Sequence, residues 1–186
     1  MNFNEHSGLA GRHAFLSPSN YHWINYSEAK LADRYVTARA AQKGVELHAF
    51  AHEAIRLGIR LPEAPTTLSQ YVNDAIGFKM ATEQALYFSD NCYGHSDAIC
   101  FRQGLLRIHD LKTGVVEASH HQLEVYAALF CLEYIISPHE IDIELRIYQN
   151  DDIRIFVPFP ETIAMIMEKI VTFDQQIEEL KMKGAW

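Results

Sequence analysis

Apolar positions along this chain change period four times, and the changes mark out helical and extended stretches. After Ser27, a residue type that caps helices, apolar residues recur at helical spacing through "EAKLADRYVTARAAQ" towards Gly44, and "VELHAFAHEAIRLG" continues or restarts the pattern to near Gly58. "LPEAPTT" has loop chemistry, and Thr67 can cap a further helix over "LSQYVNDAIGFKMATEQ". The density of aromatic and aliphatic residues then predicts strands over "ALYFS", "YGHSDAICF" and "GLLRIHDL". Arg102-Gln103-Gly104 forms a tight connection between the last two. "ASHHQLEVYAALFCLEYII" returns to helical spacing, with Leu123, Tyr126, Ala127, Phe130 and Tyr134 on one side. "IDIELRIYQ" and "DIRIFVPF" alternate as two strands around Asn150-Asp151, and the amphipathic "ETIAMIMEKIVTFDQQIEEL" closes the series. Helices, three strands, a helix, a strand pair and a helix imply an α/β (α+β) chain: a mixed central sheet containing an antiparallel meander, flanked by helices.

No repeat, low-complexity tract or long Pro/Gly/Ser linker interrupts the series, so one domain over residues 1–186 is expected. With 48% hydrophobic and 22% charged residues, the chain can bury a real core. Three cysteines, Cys92, Cys100 and Cys131, form no CxxC pair and are odd in number, which fits free thiols in a reducing compartment. The first twenty residues lack a signal pattern, and no apolar run approaches the ~18 residues of a membrane span. The expected location is the cytoplasm, that of the host if the protein is phage-encoded, with no membrane partner.

A net charge of -8 argues against coating nucleic acid by bulk attraction, so the distribution of charge matters. Residues 1–114 hold 11 basic and 11 acidic side chains, whereas residues 115–186 hold 5 and 13. The neutral part keeps Arg34, Arg39, Lys43, Arg56, Arg60, Arg102 and Arg107, which permits a local basic face there.

Candidate chemistry centres on "GHSDAICFRQGLLRIHDLKTG", which places Asp97 and Asp110 on adjacent strands although strands disfavour Asp. Two carboxylates side by side make an oxygen-rich site for a hard divalent cation, Mg²⁺ or Mn²⁺. Alternation along "DLK" puts Asp110 and Lys112 on one face with Leu111 towards the core, so the ammonium reaches the same place. This is the equipment of metal-assisted phosphodiester hydrolysis. Taken alone, the Asp-x-Lys spacing favours a plain strand-edge ion pair plus a turn Asp, since surface ion pairs are common. His48, on a helix before the strands, offers a nitrogen ligand. Gln122 and Tyr126, one helical turn apart, offer an amide and a phenol for substrate.

The ordered blocks "GVELH", "GHSD", "DLKTG" and "QLEVY" resemble the PD-(D/E)XK nucleases of the RecB-like exonuclease group, in which Gly-x-x-x-His, Gly-x-x-Asp, Asp-x-Lys and Gln-x-x-x-Tyr occur in this order. The opening "HAFLSPSNYHWINYSEAKL" resembles the start of phage-encoded members, and the likeness spans roughly Ser17 to Leu132. It implies a restriction-endonuclease-like core, with His48, Asp97, Asp110 and the Leu111 backbone carbonyl as ligands of one or two Mg²⁺ or Mn²⁺ ions. Asp97, Asp110 and Lys112 would be catalytic, and Gln122 and Tyr126 would position DNA. Relatives with an iron–sulfur cluster have a cysteine soon after the early Trp and more near the C-terminus. Here Tyr26 follows Trp23 and no cysteine lies beyond Cys131, so no iron–sulfur cluster is expected.

The resulting expectation is a Mg²⁺- or Mn²⁺-dependent deoxyribonuclease, an exonuclease of phage-type DNA recombination or processing. Two alternatives stand beside it: a catalytically silent nucleic-acid-binding or regulatory protein on the same fold, and a zinc-dependent hydrolase using the i,i+4 pair His48 and His52. Helicase domains are not expected, since no P-loop signature is present. Processive action would then need a homo-oligomer or a single-strand annealing partner. The stripe Ile163, Ile166, Ile170 and Phe173 could serve such assembly, or could cover the protein's own sheet.

Overall fold

The computed structural model describes residues 5–9 and 13–184. Its contacts divide the chain into a smaller unit up to Lys43 and a larger one from Gly44. In the smaller unit, Pro18–Asn25 is a 3-10 helix across which Trp23 donates its indole N–H to the Ser17 carbonyl at 3.0 Å. Helix α1, Glu28–Leu57, is continuous through Gly44, and the Ser27 hydroxyl caps it by accepting from Lys30 N at 3.3 Å. Phe15 meets Tyr35 edge-on at 5.3 Å, and the Lys30 ammonium lies 4.7 Å from the Tyr26 ring centre.

In the larger unit, the five strands β1 (Ala81–Ser89), β2 (Cys92–Arg102), β3 (Leu105–Leu111), β4 (Asp142–Gln149) and β5 (Asp152–Phe156) form one mixed sheet in that spatial order. All neighbours are antiparallel except β3 and β4, which are parallel and joined through α3, His121–Tyr134. A parallel pair needs such a crossover, because a hairpin turn cannot return the chain in the same direction. Asp90-Asn91, Gln103-Gly104 and Asn150-Asp151 make three two-residue hairpin connections. The four residues of the last two have positive φ (52°, 77°, 55° and 58°), the left-handed backbone that matches strand twist in a two-residue hairpin.

Two apolar layers hold the sheet. On one face Ile99, Leu106, Ile108, Leu145 and Ile147 pack with Leu123 and Ala127 of α3 and with Ile163 of α4, Pro160–Met182. On the other, Ala98, Cys100, Leu111 and Tyr148 pack with Ala51, Ala54 and Ile55 of α1 and with Tyr71, Val72 and Ala75 of α2, Thr67–Gly77. β3 is therefore covered on both sides, which is why "IHDL" is buried throughout rather than alternating.

The structure corrects some of these expectations and bears out others. The cap of α2 is Thr66, whose hydroxyl accepts from Ser69 N, and Thr67 is the first helical residue. The helix stops at Gly77 rather than running through Gln84: Phe78 N–H and Met80 N–H bond back to Asp74 and Ala75 carbonyls, Lys79 takes a left-handed φ of 55°, and β1 begins at Ala81. The α4 stripe covers the protein's own core through Ile163, Ile166 and Ile170, and only Phe173 stays exposed, at 57%. Cys92, Cys100 and Cys131 are free thiols. Among the described residues, no helix is long and apolar enough to cross a membrane.

Candidate active site

The acids of "GHSD" and "HDLK" meet because of register. The pairing of β2 with β3 runs to Ala98 opposite His109, so Asp97 and Asp110 stand one step further along, across from each other. They share the sheet face of Ile99 and Ile108, which is the face that α3 covers. Asp110, next to last in the central strand, is 3% exposed. Lys112 projects beside it, with Nζ 3.0 Å from Asp110 Oδ2 and 2.9 Å from Gln122 Oε1. Gln122 Nε2 donates to the Tyr126 hydroxyl at 3.3 Å, and that hydroxyl donates to the His95 carbonyl at 2.7 Å. On the other side, Leu111 N–H donates to Asp97 Oδ2 at 2.9 Å, and His48 Nδ1 lies 3.4 Å from the same oxygen. All six side chains singled out from the sequence thus fall into one continuous chain of contacts, with the Leu111 backbone between the two acids.

Two glycines have steric reasons to be glycine. A Cβ on Gly94 would stand 2.9 Å from Tyr126 Cε1, and one on Gly44 would stand 2.7 Å from Thr113 Oγ1. Gly94 therefore lets the α3 phenol lie against β2, and Gly44 lets α1 approach the segment that follows Lys112.

Electrostatics concentrate on the acids. Burial, and next the charge of Asp110, push the Asp97 carboxyl up to about 6; the Leu111 N–H, His48 and Lys112 oppose the shift. Burial also raises Asp110, against the pull of Lys112 and His48. The buried Asp110 Oδ2 is charge-paired with the Lys112 ammonium at 3.0 Å. The donor set, two carboxylates with an imidazole at the edge, fits a Mg²⁺- or Mn²⁺-sized ion. The donors of His48, Asp97 and Asp110 do not all lie within 4.8 Å of one another. The two carboxylates repel, and each is drawn to its own side, Asp97 to Leu111 N–H and His48, Asp110 to Lys112.

His52 is not part of this group. Its Nδ1 is 2.6 Å from Thr82 Oγ1, so the structure does not bring His48 and His52 together on one site. Arg56 and Arg107, two members of the expected basic face, are paired with Glu53 and Glu144.

Three features escaped the sequence reading. Glu83, assigned there to the end of a helix, lies in β1 between the pairs Thr82–Ala98 and Gln84–Ser96, and so falls opposite Asp97. It has a left-handed φ of 51°, a strained state for a non-glycine residue within a strand. Burial and the charges of Asp97, Asp110 and Glu83 together raise the Tyr71 phenol well above its ordinary range. An acid inside a strand was the signal that found Asp97, and it finds Glu83 once β1 is started at Ala81. The second feature is a polar chain beneath the sheet: Tyr148 OH donates to Asp74 at 2.7 Å and stands 3.2 Å from His109 Nδ1. The third is a cluster of His120, His121 and Glu124 at the start of α3.

No protein-family model matches the chain, and no curated protein or solved structure matches it.

Proposed function

We propose that the protein is a metal-dependent DNA nuclease with a restriction-endonuclease-like core, hydrolysing phosphodiester bonds at the Asp97–Asp110–Lys112 site. The observation that carries this reading is the chain of contacts from His48 to Asp97, across the Leu111 backbone to the buried Asp110, and on through Lys112 and Gln122 to Tyr126. A bare strand-edge ion pair needs neither a second buried acid nor an amide fixed on the lysine.

Asp97 and Asp110 would hold the cation, which when bound supplies neutralisation of the phosphate charge and activation of water. Lys112, fixed from behind by Gln122, is placed to orient the attacking water and to stabilise charge developing on the phosphate oxygens. Tyr126, held on the His95 carbonyl, is placed with Gln122 to set the strand against these groups. His48 closes the edge of the site next to Asp97. An exonuclease of phage-type DNA recombination or processing is the form of the activity we favour.

The direct test is end-labelled linear DNA and closed circular DNA, each incubated with Mg²⁺, Mn²⁺ or EDTA. Cleavage of linear DNA with either cation and none in EDTA is expected, with the closed circle spared by an exonuclease. An inert protein under all these conditions that still binds DNA would instead establish the silent binding protein.

The histidines separate this reading from a zinc hydrolase. His48→Ala removes the imidazole 3.4 Å from Asp97 and should lower activity and Mn²⁺ affinity by about 10- to 100-fold, the usual range for losing a supporting group at a metal site. His52→Ala removes only a bond to Thr82 and should stay within a few-fold of wild type. Calorimetric titration with Mn²⁺ reads the difference, and equal losses in the two variants would count against the assignment.

A further inference from the structure

We propose that His120, His121 and Glu124 form a binding site for a transition-type divalent cation, Zn²⁺ above all, separate from the Asp97–Asp110 site. One donor atom from each of the three residues lies within 4.8 Å of the other two. His121 Nδ1 is 2.8 Å from Glu124 Oε2, and His120 Nε2 is 3.5 Å from Glu124 Oε1, so the two carboxylate oxygens go one to each ring. Ligands at about 2.0–2.2 Å around a tetrahedral Zn²⁺ stand roughly 3.3 Å apart. The two spacings run to different carboxylate oxygens, so a single cation needs a modest rotation of these side chains to gather one oxygen and both nitrogens at that separation.

Burial and packing make this more than a surface coincidence. The Glu124 side chain is 8% exposed, so its carboxylate requires compensating partners, and the two imidazoles are placed to share them with a cation. The His120 ring is held by stacking on Phe156, with centroids 4.4 Å apart and an interplanar angle of 21°. His121 is 77% exposed, which leaves an entry path and room for water as the fourth ligand. Two nitrogens and one oxygen favour Zn²⁺ and its transition-metal neighbours over Mg²⁺, which prefers oxygen ligands throughout.

The site also occupies the turn that carries Gln122, whose Oε1 holds Lys112. A cation joining His120, His121 and Glu124 therefore ties down the segment from which Gln122 projects.

The test is Zn²⁺ titration of EDTA-stripped, dialysed full-length protein against a chromophoric chelator, with thermal melts in parallel. Wild type should take up one tightly held Zn²⁺ per chain and melt at a higher temperature with it. His121→Ala changes an exposed side chain and so should fold normally. It should weaken uptake at least tenfold and lose the melting shift. The double variant Asp97→Asn with Asp110→Asn should keep both, and His139→Ala, an exposed histidine elsewhere, should match wild type. Unchanged uptake in His121→Ala, or loss of uptake in the Asp97/Asp110 double variant, would overturn the proposal. Because the readouts are binding and melting, the outcome is independent of whether the protein cleaves DNA.

Discussion

Asp110→Asn and Lys112→Ala should each lower metal-dependent DNA cleavage by about a thousandfold or more, with the fold retained. The asparagine has the shape of the aspartate, so the end of β3 keeps its packing, but the charge that would hold the cation is gone. Asp110 is buried at the end of a strand covered on both faces, and among the described residues no other acid stands across from Asp97 on β3. Lys112→Ala acts differently. It leaves both carboxylates in place, so Mn²⁺ binding should persist while the rate falls, because the ammonium acts on charge that develops only at the transition state. Single-turnover cleavage, Mn²⁺ calorimetry and circular dichroism on both variants separate the two effects. Wild-type turnover in either variant would remove this site from the mechanism.

The legible parts of this protein were those in which chemistry and local geometry coincide. Tight turns at Gln103-Gly104 and Asn150-Asp151 announce themselves because few residues accept a left-handed backbone. The alternation in "DLK" fixed Asp110 and Lys112 on one face, and the helical spacing of Gln122 and Tyr126 fixed a second pair. Their 2.9 and 3.3 Å bonds complete what the spacing began. The end of α2 was not legible, since "GFKMATEQ" carries no helix-stopping proline and the stop depends on a left-handed Lys79. That error hid Glu83. His109 was unreadable for another reason: in a strand buried on both faces the polar positions lose their alternation, so a histidine in "IHDL" carries no mark of its environment. His120 and His121 entered the sequence analysis only as part of a helical stretch, and the burial of Glu124 gives them a common focus.

The stability of the cation-free protein should not fall between pH 6 and pH 4, and replacing both Asp97 and Asp110 by Asn should make it fall steeply with acid. Buried groups pull in opposite directions, the raised Asp97 and Asp110 carboxyls one way and the lowered His109 imidazole the other. Asp97 is raised to about 6 by burial and by Asp110, so its native form binds a proton more tightly than the unfolded chain does. Its contribution is complete below pH 4 and is lost as pH rises through about 6, a change on the order of 3 kcal/mol.

His109 behaves in the reverse sense. Burial, then the charges of Arg146 and Arg107, push its imidazole down to about 3. Tyr148 gives its proton to Asp74 and so accepts from His109 Nδ1, which leaves Nε2 buried with no partner and no acceptor for a second proton. The neutral ring therefore contributes stability above pH 6.5, and this declines by about 1.4 kcal/mol for each unit of acid below it. In wild type the two slopes oppose each other from pH 6 to pH 4. In the double Asn variant only the His109 slope remains, giving a loss of roughly 2–3 kcal/mol over that interval. The same variant should be more stable than wild type at pH 7 in EDTA, by an amount on the order of the Asp97 contribution, because two repelling buried charges are gone. Added Mn²⁺ should then stabilise wild type alone. Urea denaturation in EDTA at pH 7, 6, 5 and 4, repeated with Mn²⁺ at pH 7, measures all of this. Parallel profiles for the two proteins would show that Asp97 and Asp110 carry no strained charge, and with it would go the physical reason for a cation between them.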